Sequence, residues 1–154
     1  MKTHPFGSLG SVSTLTLGGG GLGQLWGPTT REECVATVKA AVDAGITLID
    51  LAPRYGDGKA EQVLGEAFGG RLPAGVRVTS KCNLGNPAPD RIERILRQSI
   101  EASLRLTQLD RLDVLFLHST SCRAAIRCGA TWTRRGSCRW RCFRPPSGRC
   151  SSGS

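Results

Sequence analysis

The chain has 154 residues, of which 39% are hydrophobic, and a formal net charge of +9. This length allows one ordinary domain, since single domains commonly run to about 100–200 residues. The charge distribution excludes a basic surface spread over the whole chain, because residues 1–120 hold 13 Lys or Arg against 12 Asp or Glu, whereas residues 121–154 hold eight Arg and no acidic residue.

The sequence shows no targeting or membrane segment. The start, MKTHPFGSLG, lacks the continuous apolar run of a secretory signal. No apolar run approaches the ~18 residues that a membrane-spanning helix needs. We therefore expect a cytoplasmic protein without membrane contact, in which Cys34 and Cys82 are free thiols.

The first predicted elements are a strand, a glycine-rich loop and a helix. Val12–Leu17 is the candidate strand, and it runs into the loop Gly18–Gly23. Thr30 and Glu33 form a capping-box pattern at the start of the helix, because each side chain can hydrogen-bond the backbone N–H of the other residue. Gly45 marks the expected end of this helix.

The same alternation of strand and helix continues to residue 118, with Asp90 as the expected cap of the last helix. Such alternation is typical of βαβ units and a parallel sheet. Because a complete α/β barrel takes about 250 residues, we expect an α/β fold that is a partial (β/α)8 TIM barrel with about four βα units. The further expected segments are strand Ile46–Leu51, helix Glu61–Phe68, strand Val76–Ser80, the helix after Asp90 and strand Asp113–His118.

The residues after Ser119 break this pattern. Residues 121–154 show neither helical nor strand periodicity, and Ile126 is their one aliphatic residue larger than alanine. So few aliphatic side chains cannot offset the conformational entropy lost on folding. We therefore divide the chain into a folded part, 1–119, and an Arg- and Cys-rich tail, 120–154, which we expect to be disordered.

Four polar side chains stand at or just after the carboxyl ends of consecutive predicted strands. They are Asp50, Tyr55, Lys81 and His118. In α/β barrels this end of the sheet is where active sites are built. Each residue alone has an ordinary structural explanation, as a cap, a half-buried aromatic or a solvated strand end, but their joint placement favours a catalytic site.

These four residue types suit the reduction of a carbonyl group. A tyrosine hydroxyl is a weak acid at neutral pH, but a neighbouring ammonium, here that of Lys81, favours loss of the proton. Asp50 would pair with Lys81 and orient it, while a neutral His118 could donate a hydrogen bond to the carbonyl. Tyr55 would then protonate the carbonyl oxygen as a general acid.

Three stretches of the chain resemble the aldo-keto reductase family over about the first 119 residues. They are AAVDAGITLIDLAPRYGDGKAEQVLGEAF, VTSKC and SIEASLRLTQLDRLDVLFLHS. The resemblance implies that Asp50, Tyr55, Lys81 and His118 are the catalytic tetrad of an oxidoreductase that reduces aldehydes or ketones, or oxidises aldoses, with NADP(H). In the family the NADP(H) contacts come largely from later strands and loops, and no residue here matches their motifs. We therefore expect the chain, truncated after the fourth strand, to be inactive.

The loop Gly18–Gly23 matches the letters of a dinucleotide-binding motif. In that motif the loop opens directly into a helix that holds the pyrophosphate, whereas here residues 24–28 intervene. We interpret it as the first βα loop, near the substrate pocket, with Trp26 either as a pocket wall that binds substrate or as simple loop packing. Residues Pro53–Gly56 resemble the branch of the family that acts on aldoses and small aldehydes.

The tail is open to several interpretations. Its cysteines never show the Cys-x2-Cys spacing of a zinc site, so we predict no metal. Arginines beside Trp132, Trp140 and Phe143 suggest a nucleic-acid-binding module as the alternative function, but no nucleic-acid-binding motif frames them, and the expected partner is a small carbonyl substrate. The composition is also that of a GC-rich gene translated out of frame, which would mean a frameshift near residue 119.

An incomplete barrel would have unpaired strand edges and an exposed apolar interior, both of which favour self-association. Two four-stranded halves that close into eight strands would be a working homodimer. The tail argues against this arrangement, since each half would need a clean connection at the join.

Overall fold

The computed structural model describes residues 1–85, 87–118, 128–133 and 138–142. No helix among them is long and apolar enough to cross a membrane. Short 3-10 turns occupy Gly7–Leu9 and Pro89–Arg91. In chain order the helices and strands are β1 Thr3–Pro5, β2 Ser11–Ser13, β3 Leu17–Gly18, α1 Arg31–Asp43, β4 Leu48–Asp50, α2 Lys59–Phe68, β5 Arg77–Cys82, α3 Ile92–Thr107, β6 Arg111–Leu112, β7 Val114–Leu117, β8 Cys128–Thr133 and β9 Cys138–Cys142.

Four parallel strands form the central sheet, in the order β3-β4-β5-β7. The helices α1, α2 and α3 each connect one strand of this sheet to the next. Ile49 of β4 lies opposite Val78 of β5, and Ser80 of β5 lies opposite Leu115 of β7. The prediction of four parallel strands alternating with three helices, as in half of an α/β barrel, is confirmed.

The core lies between one face of this sheet and the three helices. Ile49 and Val78 are both 0% exposed and belong to one cluster with side chains from all three helices. Because successive residues of a strand point to opposite faces, Lys81 and Phe116 lie on the other face, where Phe116 is 45% exposed. The helices contribute Cys34 and Val38 from α1, Val63, Leu64 and Ala67 from α2, and Ile100 and Leu104 from α3.

Helix α1 begins and ends where the sequence predicts. The N–H of Glu33 donates to Oγ1 of Thr30 at 3.2 Å, and the N–H of Thr30 donates to Oε2 of Glu33 at 2.8 Å. Gly45 follows the C-cap residue Ala44 with a φ of +91°. The capping box and the terminating glycine are therefore confirmed.

The start of α3 differs from the prediction. Asp90 lies inside the 3-10 turn Pro89–Arg91, and Arg91 occupies the N-cap position without a capping hydrogen bond from its side chain. The fixed φ of proline favours a tight turn at this point. A residue that caps through its side chain typically has an extended backbone, whereas Asp90 lies within the 3-10 turn and precedes the N-cap position, so it does not cap the helix.

The predicted strand Val12–Leu17 is divided in two. Strand β2 pairs antiparallel with β1 in an N-terminal hairpin, and only β3 joins the parallel sheet. Ser13, at the end of β2, makes two hydrogen bonds that involve side chains. Its Oγ donates to the Leu15 carbonyl at 2.6 Å, and its N–H donates to Oγ1 of Thr47 at 2.7 Å. These bonds lie at the break between β2 and β3.

The C-terminal segment contains two strands where we expected disorder. Strand β8 pairs antiparallel with both β9 and β6, with Arg111 opposite Thr133. An antiparallel ladder is built from backbone groups and does not require the apolar periodicity that this segment lacks. Strands β8 and β9 are described within the tail, and the disorder of residues 120–154 stays a prediction. The metal-binding and nucleic-acid-binding interpretations concern side chains that lie outside the described residues.

Candidate active site

All four predicted side chains meet at the carboxyl edge of the parallel sheet. Asp50 is the last residue of β4, Lys81 lies near the end of β5, and His118 directly follows β7. Tyr55 lies in the loop between β4 and α2, where its N–H donates to the carbonyl of Ala52 at 3.0 Å. The predicted convergence is confirmed, and the catalytic roles stay predictions.

The ammonium of Lys81 lies at the centre of this cluster. Its Nζ donates to Oδ2 of Asp50 at 2.7 Å, to the carbonyl of Leu51 at 2.8 Å and to Oη of Tyr55 at 3.0 Å. An ammonium has three N–H donors and no acceptor, so these contacts use all of its donors. The Lys81 side chain is only 13% exposed, which strengthens the ion pair because less water screens it.

The hydroxyl of Tyr55 accepts the hydrogen bond from Lys81, because an ammonium cannot accept one. The hydroxyl hydrogen of Tyr55 therefore remains available for another acceptor. Nζ of Lys81 also lies 4.6 Å from the centroid of the Tyr55 ring, within the range of a cation–π contact. This geometry leaves the hydroxyl of Tyr55 able to donate a hydrogen bond while it accepts one from Lys81.

Asp50 is fixed through both carboxylate oxygens. Oδ1 accepts from Oγ1 of Thr79 at 2.6 Å, and Oδ2 accepts from Lys81. The sequence analysis missed Thr79, although strand alternation places it on the same face as Lys81, two residues earlier. It also missed the carbonyl of Leu51, for which no sequence signal exists because every residue carries a carbonyl.

His118 completes the cluster on its exposed side. Its ring centroid lies 6.2 Å from that of Tyr55, with an interplanar angle of 88°, an edge-to-face arrangement that aromatic pairs favour. The N–H of His118 donates to the carbonyl of Cys82 at 2.8 Å. The pairing of β5 and β7 thus holds the exposed imidazole beside the phenol.

The glycine-rich loop packs directly on the segment that carries Tyr55. A Cβ on Gly23 would lie 2.4 Å from the backbone carbonyl carbon of Tyr55, so only glycine allows this approach. The N–H groups of Gly23 and Gln24 donate within the loop, to the carbonyls of Gly19 and Gly21, each at 3.0 Å. These two amides are therefore not free to hold a phosphate, and the interpretation of the loop as a substrate-side loop stays a prediction.

Trp26 lies near the end of this loop and is 80% exposed. Its ring contacts Gly20, where a Cβ would lie 2.8 Å from the indole. Gln24 secures the loop, because its amide donates to the carbonyl of Thr29 and its amide oxygen accepts from Nζ of Lys59 at 2.9 Å. The position of Trp26 is compatible with loop packing and with a pocket wall, and its role in binding substrate stays a prediction.

Two buried thiols lie outside this cluster. Cys34 and Cys82 are free, as predicted. Burial raises the pKa of the Cys82 thiol, which keeps it in the unreactive protonated form. Within the described part of the chain, no three His, Cys, Asp or Glu side chains come together as metal ligands.

Comparison with known proteins agrees with this geometry. The model of the aldo/keto reductase family matches residues 14–131. L-galactose dehydrogenase of Arabidopsis thaliana is 34% identical over 109 residues, which cover 70% of this chain and 34% of that protein. Methylglyoxal reductase YeaE of Escherichia coli is 40% identical over 88 residues, which cover 57% of this chain and 29% of that protein. The chain therefore spans about a third of the length of these curated relatives.

A solved structure shows the same fold. The aldo-keto reductase from Klebsiella pneumoniae in complex with NADPH superposes with a TM-score of 0.63 and 35% sequence identity, over 76% of this chain and 39% of that chain. The half-barrel sheet, the four converging side chains and a family match over most of the sequence agree with one another. The chain belongs to the aldo/keto reductase family.

Proposed function

We propose that the chain carries the proton-donating part of an aldo-keto reductase active site, which reduces an aldehyde or ketone with NADP(H), or oxidises an aldose in the reverse direction. The observation that carries this proposal is the 3.0 Å contact in which Lys81 donates to Tyr55. This contact leaves the hydroxyl hydrogen of Tyr55 available for a substrate oxygen.

The proposed chemistry assigns one task to each side chain of the cluster. Tyr55 donates a proton from Oη to the carbonyl oxygen, and Lys81 stabilises the negative charge that develops on the phenol oxygen. Asp50 balances the ammonium and holds it in place, at 2.7 Å. A neutral His118 donates a hydrogen bond that orients the carbonyl. In alcohol oxidation the same proton transfers run in reverse.

The proposed cofactor is NADP(H), which supplies or accepts the hydride when bound. The Klebsiella pneumoniae relative is in complex with NADPH. The described residues suit the carbonyl end of such a site, whereas the amides of Gly23 and Gln24 already donate to the carbonyls of Gly19 and Gly21 and do not serve its phosphates. We therefore propose that the nucleotide contacts come from outside the described residues.

We propose an aldose or a small aldehyde as the substrate. The names of two relatives, L-galactose dehydrogenase and methylglyoxal reductase, support this class. So does the resemblance of Pro53–Gly56 to the branch of the family that acts on such compounds. The exposed indole of Trp26 would supply an apolar surface for the carbon face of the substrate.

We further propose that residues 1–119 are the N-terminal half of an aldo-keto reductase barrel in a cytoplasmic protein, with the Arg- and Cys-rich tail outside the site and without a role in binding nucleic acid. The two buried free thiols support a reducing compartment. The 45% exposure of Phe116 on the open face of the sheet supports self-association of an incomplete barrel.

A chimera tests the proposed function within a complete barrel. Residues 14–118 replace the equivalent segment of the Klebsiella pneumoniae aldo-keto reductase, and NADPH absorbance is followed with small aldehydes. We expect turnover, and we expect Tyr55→Phe, which keeps the ring and removes only the hydroxyl, to lower kcat by about 10²–10⁴-fold. Equal kcat in the chimera and its Tyr55→Phe variant would refute the role of Tyr55.

The chain by itself is the second arm of this test. Holding the nicotinamide within about 3–3.5 Å of the carbonyl carbon can account for about 7–11 kcal/mol of barrier lowering. We expect no turnover above the Tyr55→Phe control, because the described residues do not supply that hold. Turnover above the control would show that a second copy of the chain, or residues outside the described ones, provides it.

A further inference from the structure

A carboxyl group is fully buried behind the candidate active site. Glu61, in the first turn of α2, is 0% exposed. Its Oε1 accepts a hydrogen bond from Oγ of Ser80 at 2.7 Å, while its Oε2 has no hydrogen-bond partner among the described residues. Within the same residues, no lysine or arginine forms an ion pair with Glu61.

A serine of α3 lies beside the same carboxyl. Ser103 is 0% exposed, and its Oγ likewise has no hydrogen bond of standard geometry within the described part of the chain. Burial raises the pKa of Glu61, while the hydroxyls of Ser80 and Ser103 and the charge of Lys81 act in the opposite direction. Two unpaired polar atoms, one on Glu61 and one on Ser103, therefore share one buried space.

A neutral carboxylic acid accounts for both unpaired atoms. An isolated carboxylate is far more costly to bury than a neutral acid, and the nearby charge of Lys81 is already balanced by Asp50 at 2.7 Å. A protonated carboxyl has one O–H donor besides its acceptor oxygen. In that form Glu61 accepts from Ser80 with one oxygen and donates toward Ser103 with the other.

The elements that Glu61 joins are those that present Tyr55 and Lys81. Ser80 directly precedes Lys81 in β5, and its side chain lies on the helix-covered face of the strand because successive residues alternate. At the other end, the N–H of Ala60, the neighbour of Glu61, donates to the carbonyl of Tyr55 at 3.3 Å. The bond between Glu61 and Ser80 thus holds the start of α2, with the Tyr55 segment, against β5.

We propose that Glu61 is a positioning residue: a neutral carboxylic acid that keeps the Tyr55 segment at hydrogen-bonding distance from Lys81. The inference rests on the proposed function in one respect, that Tyr55 is the proton donor. The positioning role of Glu61 is measured by NMR without turnover, whereas the proposed function is measured by turnover of the chimera. Failure of one can therefore be told apart from failure of the other.

The protonation state is measured in the full chain with glutamate labelled with ¹³C at the side-chain carboxyl. The resonance of Glu61 is the one that disappears in Glu61→Gln. We expect this resonance at the position of a protonated carboxyl at neutral pH, apart from those of exposed glutamates. A Glu61 resonance at the ionised position would overturn the proposal.

The geometry is measured at Tyr55, the only tyrosine of the chain, so that ¹³Cζ-labelled tyrosine gives a single resonance sensitive to hydrogen bonding at Oη. We expect Glu61→Gln, whose amide keeps one acceptor and one donor, to retain the wild-type resonance. Glu61→Ala and the milder Ser80→Ala should both displace it. The control Val63→Ala, at a residue of the same helix that is 2% exposed, should leave it in place.

Three results would overturn the positioning role. The first is a Tyr55 resonance in Ser80→Ala at the same position as in the wild type. A displacement in Glu61→Gln as large as that in Glu61→Ala is the second, because it would mean that the charge of a carboxylate is required. A displacement in Val63→Ala equal to that in Ser80→Ala is the third, since any loosening of α2 would then suffice.

Discussion

Adding one methyl group at Gly23 tests how closely the glycine-rich loop sets the position of Tyr55. The added Cβ would lie 2.4 Å from the carbonyl carbon of Tyr55, 2.6 Å from its oxygen and 2.8 Å from the nitrogen of Gly56. Favourable contacts between carbon atoms lie at about 3.5–4.0 Å, and backbone atoms cannot rotate away as a side chain can. The loop or the Tyr55 segment must therefore move by about 1 Å to restore such contacts.

The energetic cost follows from this overlap. Overpacking costs about 1–3 kcal/mol, while replacing glycine by alanine stabilises by about 0.4–1 kcal/mol through the unfolded chain. Gly23 does not have a positive φ, so alanine adds no backbone strain. We expect Gly23→Ala to lower the free energy of unfolding by about 1–2 kcal/mol, which corresponds to a decrease in Tm of about 4 °C or more.

Denaturant unfolding followed by far-UV circular dichroism measures this change, and the Tyr55 ¹³Cζ resonance reports the displacement. Gly21→Ala is the matched control, because its Cβ would meet only the ring of Trp26, at 3.6 Å. We expect the control to be more stable than the wild type by about 0.4–1 kcal/mol, through the unfolded chain alone, and to leave the Tyr55 resonance in place. If Gly23→Ala behaves like Gly21→Ala in both measurements, the close approach of the loop does not position Tyr55.

Three further predictions concern the core, the ion pair and the buried acid. Leu64→Ala, at a residue that is 1% exposed, should lower the free energy of unfolding by about 2–5 kcal/mol, whereas Leu25→Ala, at a residue that is 50% exposed, should change it by less than about 0.5 kcal/mol; similar losses would contradict the assigned core. Asp50→Asn weakens the charge-assisted bond to Lys81 and should cost about 1.5–3 kcal/mol in the same assay; an unchanged midpoint would show that this ion pair does not stabilise the fold. Burial raises the pKa of Glu61 above its ordinary value of 4.5, so above that pH the native chain holds a proton that the unfolded chain has lost. The free energy of unfolding of the wild type relative to Glu61→Gln should therefore be highest below pH 4.5 and fall as the pH rises toward the raised native pKa; a pH-independent difference would refute the buried neutral acid.

The element order and most of the candidate site could be predicted from the sequence because their signals are local. The spacing of apolar residues identifies the helices and strands within short windows, and the capping box of Thr30 and Glu33 needs only four consecutive residues. The convergence of Asp50, Lys81 and His118 followed from one further rule, that the carboxyl ends of parallel strands share an edge. Their residue types indicate carbonyl chemistry without any knowledge of the distances between them.

Only the tertiary structure decided what each of these groups contacts. Ser13 interrupts the first predicted strand through Thr47, which is 34 residues away, and no local pattern reports such a partner. Lys81 is held by the carbonyl of Leu51 as well as by Asp50, although every residue carries a carbonyl. Glu61 reads in sequence as an ordinary acidic residue in the first turn of a helix, yet it is 0% exposed. Burial and hydrogen-bond partners depend on which distant segments pack together. Because α2 packs against β5 and α3, Glu61 is a buried acid beside the site and not a surface charge.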